Sequence, residues 1–140
     1  MIIDAHCHIG HGRRFQQSAD DLIRQMDEVA VDIAVVCPID RQIAVDNHEG
    51  NDAMIEACCA HPDRFRCLAV AAPWFGTRAE VELERALDSG LVGLKMHPSL
   101  QGHYVNDTIV DLLIGLVEQA RGFVYVHLGT SEYSLPLGEG

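Results

Sequence analysis

"IIDAHCHIG", residues Ile2–Gly10, is a short apolar, β-branched run that passes directly into an acid and two histidines one residue apart. β-branched residues fit a pleated, buried surface, and side chains on a strand alternate between its faces. Read as a strand, the stretch sets Asp4, His6 and His8 on one face and Cys7 on the other. Two imidazoles then stand one pleat apart at a strand's C-terminal end, where they can converge on one divalent ion. Imidazole nitrogen suits zinc, manganese or iron(II). H-x-H alone is equally compatible with ordinary core or surface histidines.

Four further apolar runs follow: Ile33–Cys37, Arg66–Ala71, Leu91–Met96 and Phe123–His127. Their near-continuous apolar character predicts strands buried on both faces, as in parallel sheets. Amphipathic stretches separate them. Ser18 and Asp21 form a capping-box pattern ahead of Leu22, Ile23, Met26 and Val29. A second helix is predicted over Asn51–Ala60, stopping before Pro62. A third is predicted from a Thr77/Glu80 box to near Gly90, and a fourth from Asn106 or Asp107 to Gly122, presenting Ile109, Leu112, Leu113, Leu116 and Val117. The order βαβαβαβαβ over residues 1–140, read as a single domain, leaves a doubly wound open sheet or a (β/α)8 barrel. The first needs G-x-G-x-x-G after the first strand. "HCHIGHGRR" has Gly10 and Gly12 but no third glycine in register. The expectation is therefore an incomplete (β/α)8 TIM-like barrel, with its first five parallel strands and four helices, since a whole barrel takes about 250 residues.

Composition removes several function classes. The 140 residues carry a net charge of -11 with only 10 Lys and Arg, which argues against a nucleic-acid partner. No apolar run reaches membrane-spanning length and no signal-peptide pattern opens the chain. The five cysteines, Cys7, Cys37, Cys58, Cys59 and Cys67, include no C-x-x-C. They predict neither a disulfide framework nor a thiolate zinc site; all but Cys7 read as small core residues, and the expected location is cytoplasmic.

The later strands strengthen the metal reading. "GLVGLKMHPS" brings Gly93, Lys95 and His97 into phase, and "GFVYVHLGT" does the same for Tyr125 and His127. Three of five parallel strands thus end in histidine, at the end where barrels build active sites. Lys95 is an amine in an apolar strand, costly to bury without a partner, unless its stem alone is buried.

These motifs, with "HPDRF" before the third strand and Gln101 shortly after "GLKMHP", resemble the amidohydrolase superfamily. The likeness is to the branch that includes aminocarboxymuconate semialdehyde decarboxylase and related lactone hydrolases. It spans nearly all of this chain but about the first half of the family's barrel. The resemblance implies a divalent metal, zinc foremost with manganese or iron as alternatives, held by His6, His8 and His127. The family's histidine after strand six and aspartate after strand eight have no position in these residues, so low activity is expected from this portion alone. Lys95 occupies the strand that carries a carboxylated, metal-bridging lysine in binuclear relatives. In mononuclear relatives the implied role is to orient a substrate carboxylate.

Lys95 and His97 are thus the candidate catalytic residues, and Trp74, Gln101 and His103 the candidate substrate contacts. Against these stand plainer roles: aromatic packing for Trp74 and Phe75, turn formation for Gln101 and His103. His11, Arg13 and Arg14 could meet an acidic substrate or simply solvate the first loop. Asp4 could orient a ligand histidine. Asp63 and Arg64 read as a turn with an ion pair, and His48 and His61 have no assigned chemistry. The favoured expectation is hydrolysis of a C–O or C–N bond in a small acid. The alternatives are non-oxidative decarboxylation at the same site, or a non-catalytic half-barrel. The partners expected are a small-molecule substrate and, through exposed barrel edges, a second copy of the chain.

Overall fold

The five predicted strand positions are all occupied, and every pairing between them is parallel. The computed structural model describes residues 1–12 and 15–128. β1 (Ile3–His8) pairs with β4 (Ile33–Cys37), and β4 with β5 (Phe65–Cys67). β6 (Ala69–Val70) pairs with β7 (Gly93–Met96), and β7 with β8 (Phe123–Val126). The single third strand expected over Arg66–Ala71 is therefore two pieces, β5 and β6, broken at Leu68. Backbone bonds from Leu68 to the Val36 carbonyl and from Val92 to the Cys67 carbonyl carry the hydrogen bonding across the break. Spatial order follows chain order, which is the open half of a barrel rather than a closed one.

The break has a physical cause in the helix behind it. β4 ends at Cys37, so backbone groups beyond Leu68 lose their strand partner. Asn51 of α3 (Asn47–Ala60) replaces it: its amide donates to the Val70 carbonyl at 3.0 Å and its oxygen accepts from the Val70 N–H at 2.7 Å. Asn47, one turn earlier, accepts from the Ala72 N–H at 2.7 Å. Buried backbone groups must be paired, and here two helix side chains do what a strand edge does elsewhere.

The helices pack on one face of the sheet. Ala34, Val36, Phe65, Cys67, Ala69, Leu94 and Met96 alternate along their strands and meet Leu22 and Met26 of α1 (Ala19–Glu28), Met54 of α3, Leu83 of α4 (Thr77–Asp88) and Leu113 and Val117 of α6 (Asp111–Gln119) in one core. Residues of the opposite phase, Lys95 and Tyr125 among them, face the other way. β7 is buried throughout, as a parallel strand with two neighbours should be, whereas β1 is exposed from Ile3 to His6 because only β4 flanks it.

Several local expectations change. Ser18 caps α1 with the full reciprocal box to Asp21, but Val29 lies at the helix end and is exposed. The Thr77/Glu80 box does not form. A 3-10 turn at Pro73–Phe75 feeds α4 through Gly76, whose φ of 55° and ψ of -133° are open to glycine, and Gly76 takes the cap position, leaving Thr77 already helical. α3 begins at Asn47 rather than Asn51, and two unforeseen helices, α2 (Asp40–Ala44) and α5 (Pro98–Gln101), follow the second and fourth strand positions. Leu112 of α6 faces solvent. The first loop is a hairpin of β2 (Gly10–His11) and β3 (Gln16–Gln17), with His11 exposed; Arg13 and Arg14 lie outside the described residues. Arg64 sits in the expected turn, but its ion pair is with Asp27 at 2.8 Å, not Asp63. Among the described residues, no helix is long and apolar enough to cross a membrane.

Candidate metal centre

Parallel strands in chain order bring their C-terminal ends to one mouth, and the predicted polar residues collect there. His8 closes β1, Lys95 lies next to last in β7, and His97 and His127 follow β7 and β8 directly. β1 carries an irregularity between Asp4 and Cys7 that adds one residue relative to β4. The two imidazoles nevertheless meet, with His6 Nε2 and His8 Nε2 3.0 Å apart. The His8 ring is oriented by Nδ1–H donating to the Pro38 carbonyl at 2.8 Å, which leaves Nε2 free to ligate. Asp4, expected to orient a ligand ring, instead accepts from the His6 backbone N–H at 3.0 Å; Pro38 does the orienting.

Lys95 is fully buried and its Nζ lies 3.1 Å from His6 Nε2 and 4.6 Å from the centre of the Tyr125 ring. Tyr125 also packs its ring against His6, with centroids 4.8 Å apart. Burial holds the Lys95 amine below the usual lysine range, with Cys37 pulling weakly the other way. Burial, helped by the charges of Lys95, His8 and His127, lowers His6 to about 4. Burial lowers His8 as well, against the Pro38 hydrogen bond. Both imidazoles are therefore neutral at ordinary pH, the form that binds metal.

His127 stands at the same mouth, but its ring is stacked on His97, centroids 3.9 Å apart and planes 12° from parallel. Among the described residues, the trio whose donor atoms lie within 4.8 Å of one another is His6, His8 and Cys37. Cys37, expected in the core, is fully buried there; it ends the second strand as His8 ends the first, and the two are register partners.

The metal implied by the resemblance fits the two imidazoles. Two nitrogens each about 2.0–2.1 Å from one tetrahedral zinc ion are separated by about 3.3–3.4 Å, and His6 and His8, at 3.0 Å, need part only by a few tenths of an ångström to reach it.

The remaining expected residues are placed differently. His97 caps α5 through Nδ1, which accepts from the Leu100 N–H at 3.3 Å, and burial lowers its pKa to about 4. Gln101 is buried and spent within the protein: its amide donates to the Ile43 and Ala71 carbonyls and its oxygen accepts from the His97 N–H at 2.8 Å. His103 is buried too, its ring nitrogens near the Tyr104 carbonyl and Gln101 Oε1. Gln101 and His103 thus hold the loop that presents His97. Trp74 donates its indole N–H to the Gln101 carbonyl at 2.7 Å and leaves its ring 60% exposed, free to act as a wall. His48 pairs with Glu82 at 2.7 Å on the helical face.

Comparison with known proteins bears on this arrangement. No curated protein matches the chain. Solved structures do. A 5-carboxyvanillate decarboxylase from Novosphingobium aromaticivorans, in complex with manganese, is 17% identical with a TM-score of 0.78, over 94% of this chain and 51% of that one. A 2,6-dihydroxybenzoate decarboxylase from Rhizobium is 21% identical, TM-score 0.74, over 96% and 51%. A probable 2-pyrone-4,6-dicarboxylic acid hydrolase from Acinetobacter baumannii is 21% identical, TM-score 0.67, over 91% and 49%. The chain thus spans about half the length of these structures, and the likeness carries their fold. The sequence pattern goes further than the fold: it matches the amidohydrolase family over residues 3–138, and the chain belongs to that family.

Proposed function

We propose that the chain carries the metal-binding half of an amidohydrolase-type enzyme acting on a small, carboxylate-bearing substrate. The observation that carries this reading is the pair of Nε2 atoms 3.0 Å apart at the C-terminal mouth, beside a buried lysine. His6 and His8 would hold the ion, with His127 the third nitrogen that the family resemblance supplies. When bound, a divalent ion supplies Lewis-acid polarisation and a water acidified to a pKa of about 7.

The chain's own residues set the rest. Pro38 fixes the His8 tautomer, so Nε2 points to the mouth. Lys95 shares the His6 Nε2 position, so a cation there favours an anionic partner beside the amine, and a substrate carboxylate has the right sign. The Tyr125 ring keeps Lys95 from bulk water on one side. The His97 and His127 rings form a flat wall suited to a planar substrate. Trp74 offers a second aromatic surface near the loop that carries His97.

Hydrolysis of a C–O or C–N bond is the first reading. Non-oxidative decarboxylation is supported equally, because structural relatives on this fold include decarboxylases of aromatic acids. One fold hosts both chemistries. Calorimetric titration of zinc and of manganese into the wild type and into the His6→Ala/His8→Ala double variant tests the site. The expected result is binding by the wild type alone; equal affinities would overturn the reading. Incubation of the loaded protein with hydroxybenzoates and with lactones separates the reactions, by carbon dioxide release in one case and acid release in the other.

A further inference from the structure

We propose that Cys58 and Cys67 are a peroxide-sensitive thiol pair that closes a reversible disulfide between α3 and β5. Cys67 faces the helices, in the phase opposite to Lys95, and Cys58 packs against the same core. The pair is separate from the mouth and owes nothing to its metal.

Chain connectivity brings the two sulfurs together. α3 ends at Ala60 and β5 begins at Phe65. Between them the His61 carbonyl accepts from the Arg64 and Phe65 N–H groups, each at 3.0 Å, and the chain reverses. Cys58 lies two residues before the helix ends and Cys67 two residues after the strand starts, so the turn folds one over the other. Cys67 is fully buried beneath α3, whereas Cys58 is half-buried at the edge of the core. The Cys67 thiol donates a hydrogen bond to the Cys58 sulfur, and the Cys67 backbone N–H donates a second.

Unequal surroundings divide the roles. The hydrogen bond from the Cys67 thiol acts most strongly on Cys58; with the Cys67 N–H and the Arg66 charge it outweighs burial and holds Cys58 at about 7. Cys67 is pushed upward, because its bond to Cys58 and its burial both keep the proton in place. A solvent-reachable thiolate beside a second, resolving thiol is the arrangement that responds to peroxide. The Cys58 thiolate attacks one oxygen of hydrogen peroxide: the S–O bond forms, the O–O bond breaks, and hydroxide leaves to become water. The Cys67 sulfur then attacks the resulting sulfenic sulfur: the S–S bond forms, the S–O bond breaks, and the departing hydroxide takes the Cys67 proton as a second water. Two thiols are oxidised and one peroxide is reduced; an added dithiol reverses the change by exchange.

The test treats the full 140-residue chain with hydrogen peroxide, blocks the remaining thiols by alkylation and maps the tryptic peptides by mass. Cleavage after Arg64 and Arg66 leaves Cys58, with Cys59, on Gln42–Arg64 and Cys67 on Cys67–Arg78. The expected product is a single chain lighter by two hydrogens, in which these two peptides are joined and come apart with dithiothreitol. Cys59→Ser keeps the link, and Cys58→Ser loses it. The wild-type map needs no variant, so it decides the matter even if a substitution harms folding. Peptides that stay unlinked, that join only between two chains, or that still join in Cys58→Ser overturn the pair.

Discussion

Lys95 is a buried amine, and among the described residues no carboxylate pairs with it. Burying a charge or an unmatched polar group is costly, so this position lowers stability. Lys95→Met keeps the volume and removes the amine. The expected outcome is a gain of about 1–2 kcal/mol, read as a melting temperature several degrees higher, with loss of binding to carboxylate ligands. A lower melting temperature would show that the amine's contacts with His6 and Tyr125 outweigh its desolvation. Glu82 is the opposite case. Burial pushes its carboxyl up, but hydrogen bonds from Arg85, Asn51 and His48 outweigh this and hold it at about 2, against 4.5 in the unfolded chain. A depressed carboxylate stabilises the fold fully above about pH 4.5, and the contribution is lost as pH falls toward 2. Urea midpoints measured across that window should fall more steeply for the wild type than for Glu82→Gln. Parallel profiles would remove Glu82 from the acid transition.

At the level of elements, the third strand position is held by a helix as much as by its neighbours. Asn51→Ala leaves the Val70 N–H and carbonyl without their side-chain partner, and each unsatisfied buried group costs about 1–3 kcal/mol. We expect a loss of about 2–4 kcal/mol, with faster hydrogen exchange at Val70 than at Leu94 in the adjoining strand. Unchanged protection at Val70 would mean that water replaces the asparagine. Ala30, just beyond α1, has a φ of 56°, where a Cβ is strained. Ala30→Gly should raise stability by about 0.5–1 kcal/mol, measured by thermal melting. Strands, helices and the histidine mouth were legible because apolar runs and in-phase polar residues are local signals. The break at Leu68 was not, because Asn47 and Asn51 act on backbone about twenty residues away. The Thr77 box failed because the incoming 3-10 turn, rather than the helix sequence, decided where α4 begins.

For the whole molecule, β1 and β8 each have one strand neighbour among the described residues, and Ile2, Ile3 and Phe123 are all more than 40% exposed beside them. Open apolar edges pair with other chains, while a net charge of -11 opposes close approach. Sedimentation velocity should therefore show association that grows with salt and as pH nears the isoelectric point of about 4.9. Ile3→Lys should suppress it. A monomer under all these conditions would mean that the edges are protected by other means.

Spatial order that copies chain order also has a history in time. Among the described residues, the strands of each parallel sheet pair in the order in which they are made, so none waits for a mate beyond the next one in its sheet. The mouth follows the reverse rule. The lysine beside His6 lies 89 positions later, and the wall beyond needs the strand that ends at Val126. Sheet and site thus mature on different clocks, and the nascent chain holds a folded scaffold well before it holds a place for chemistry.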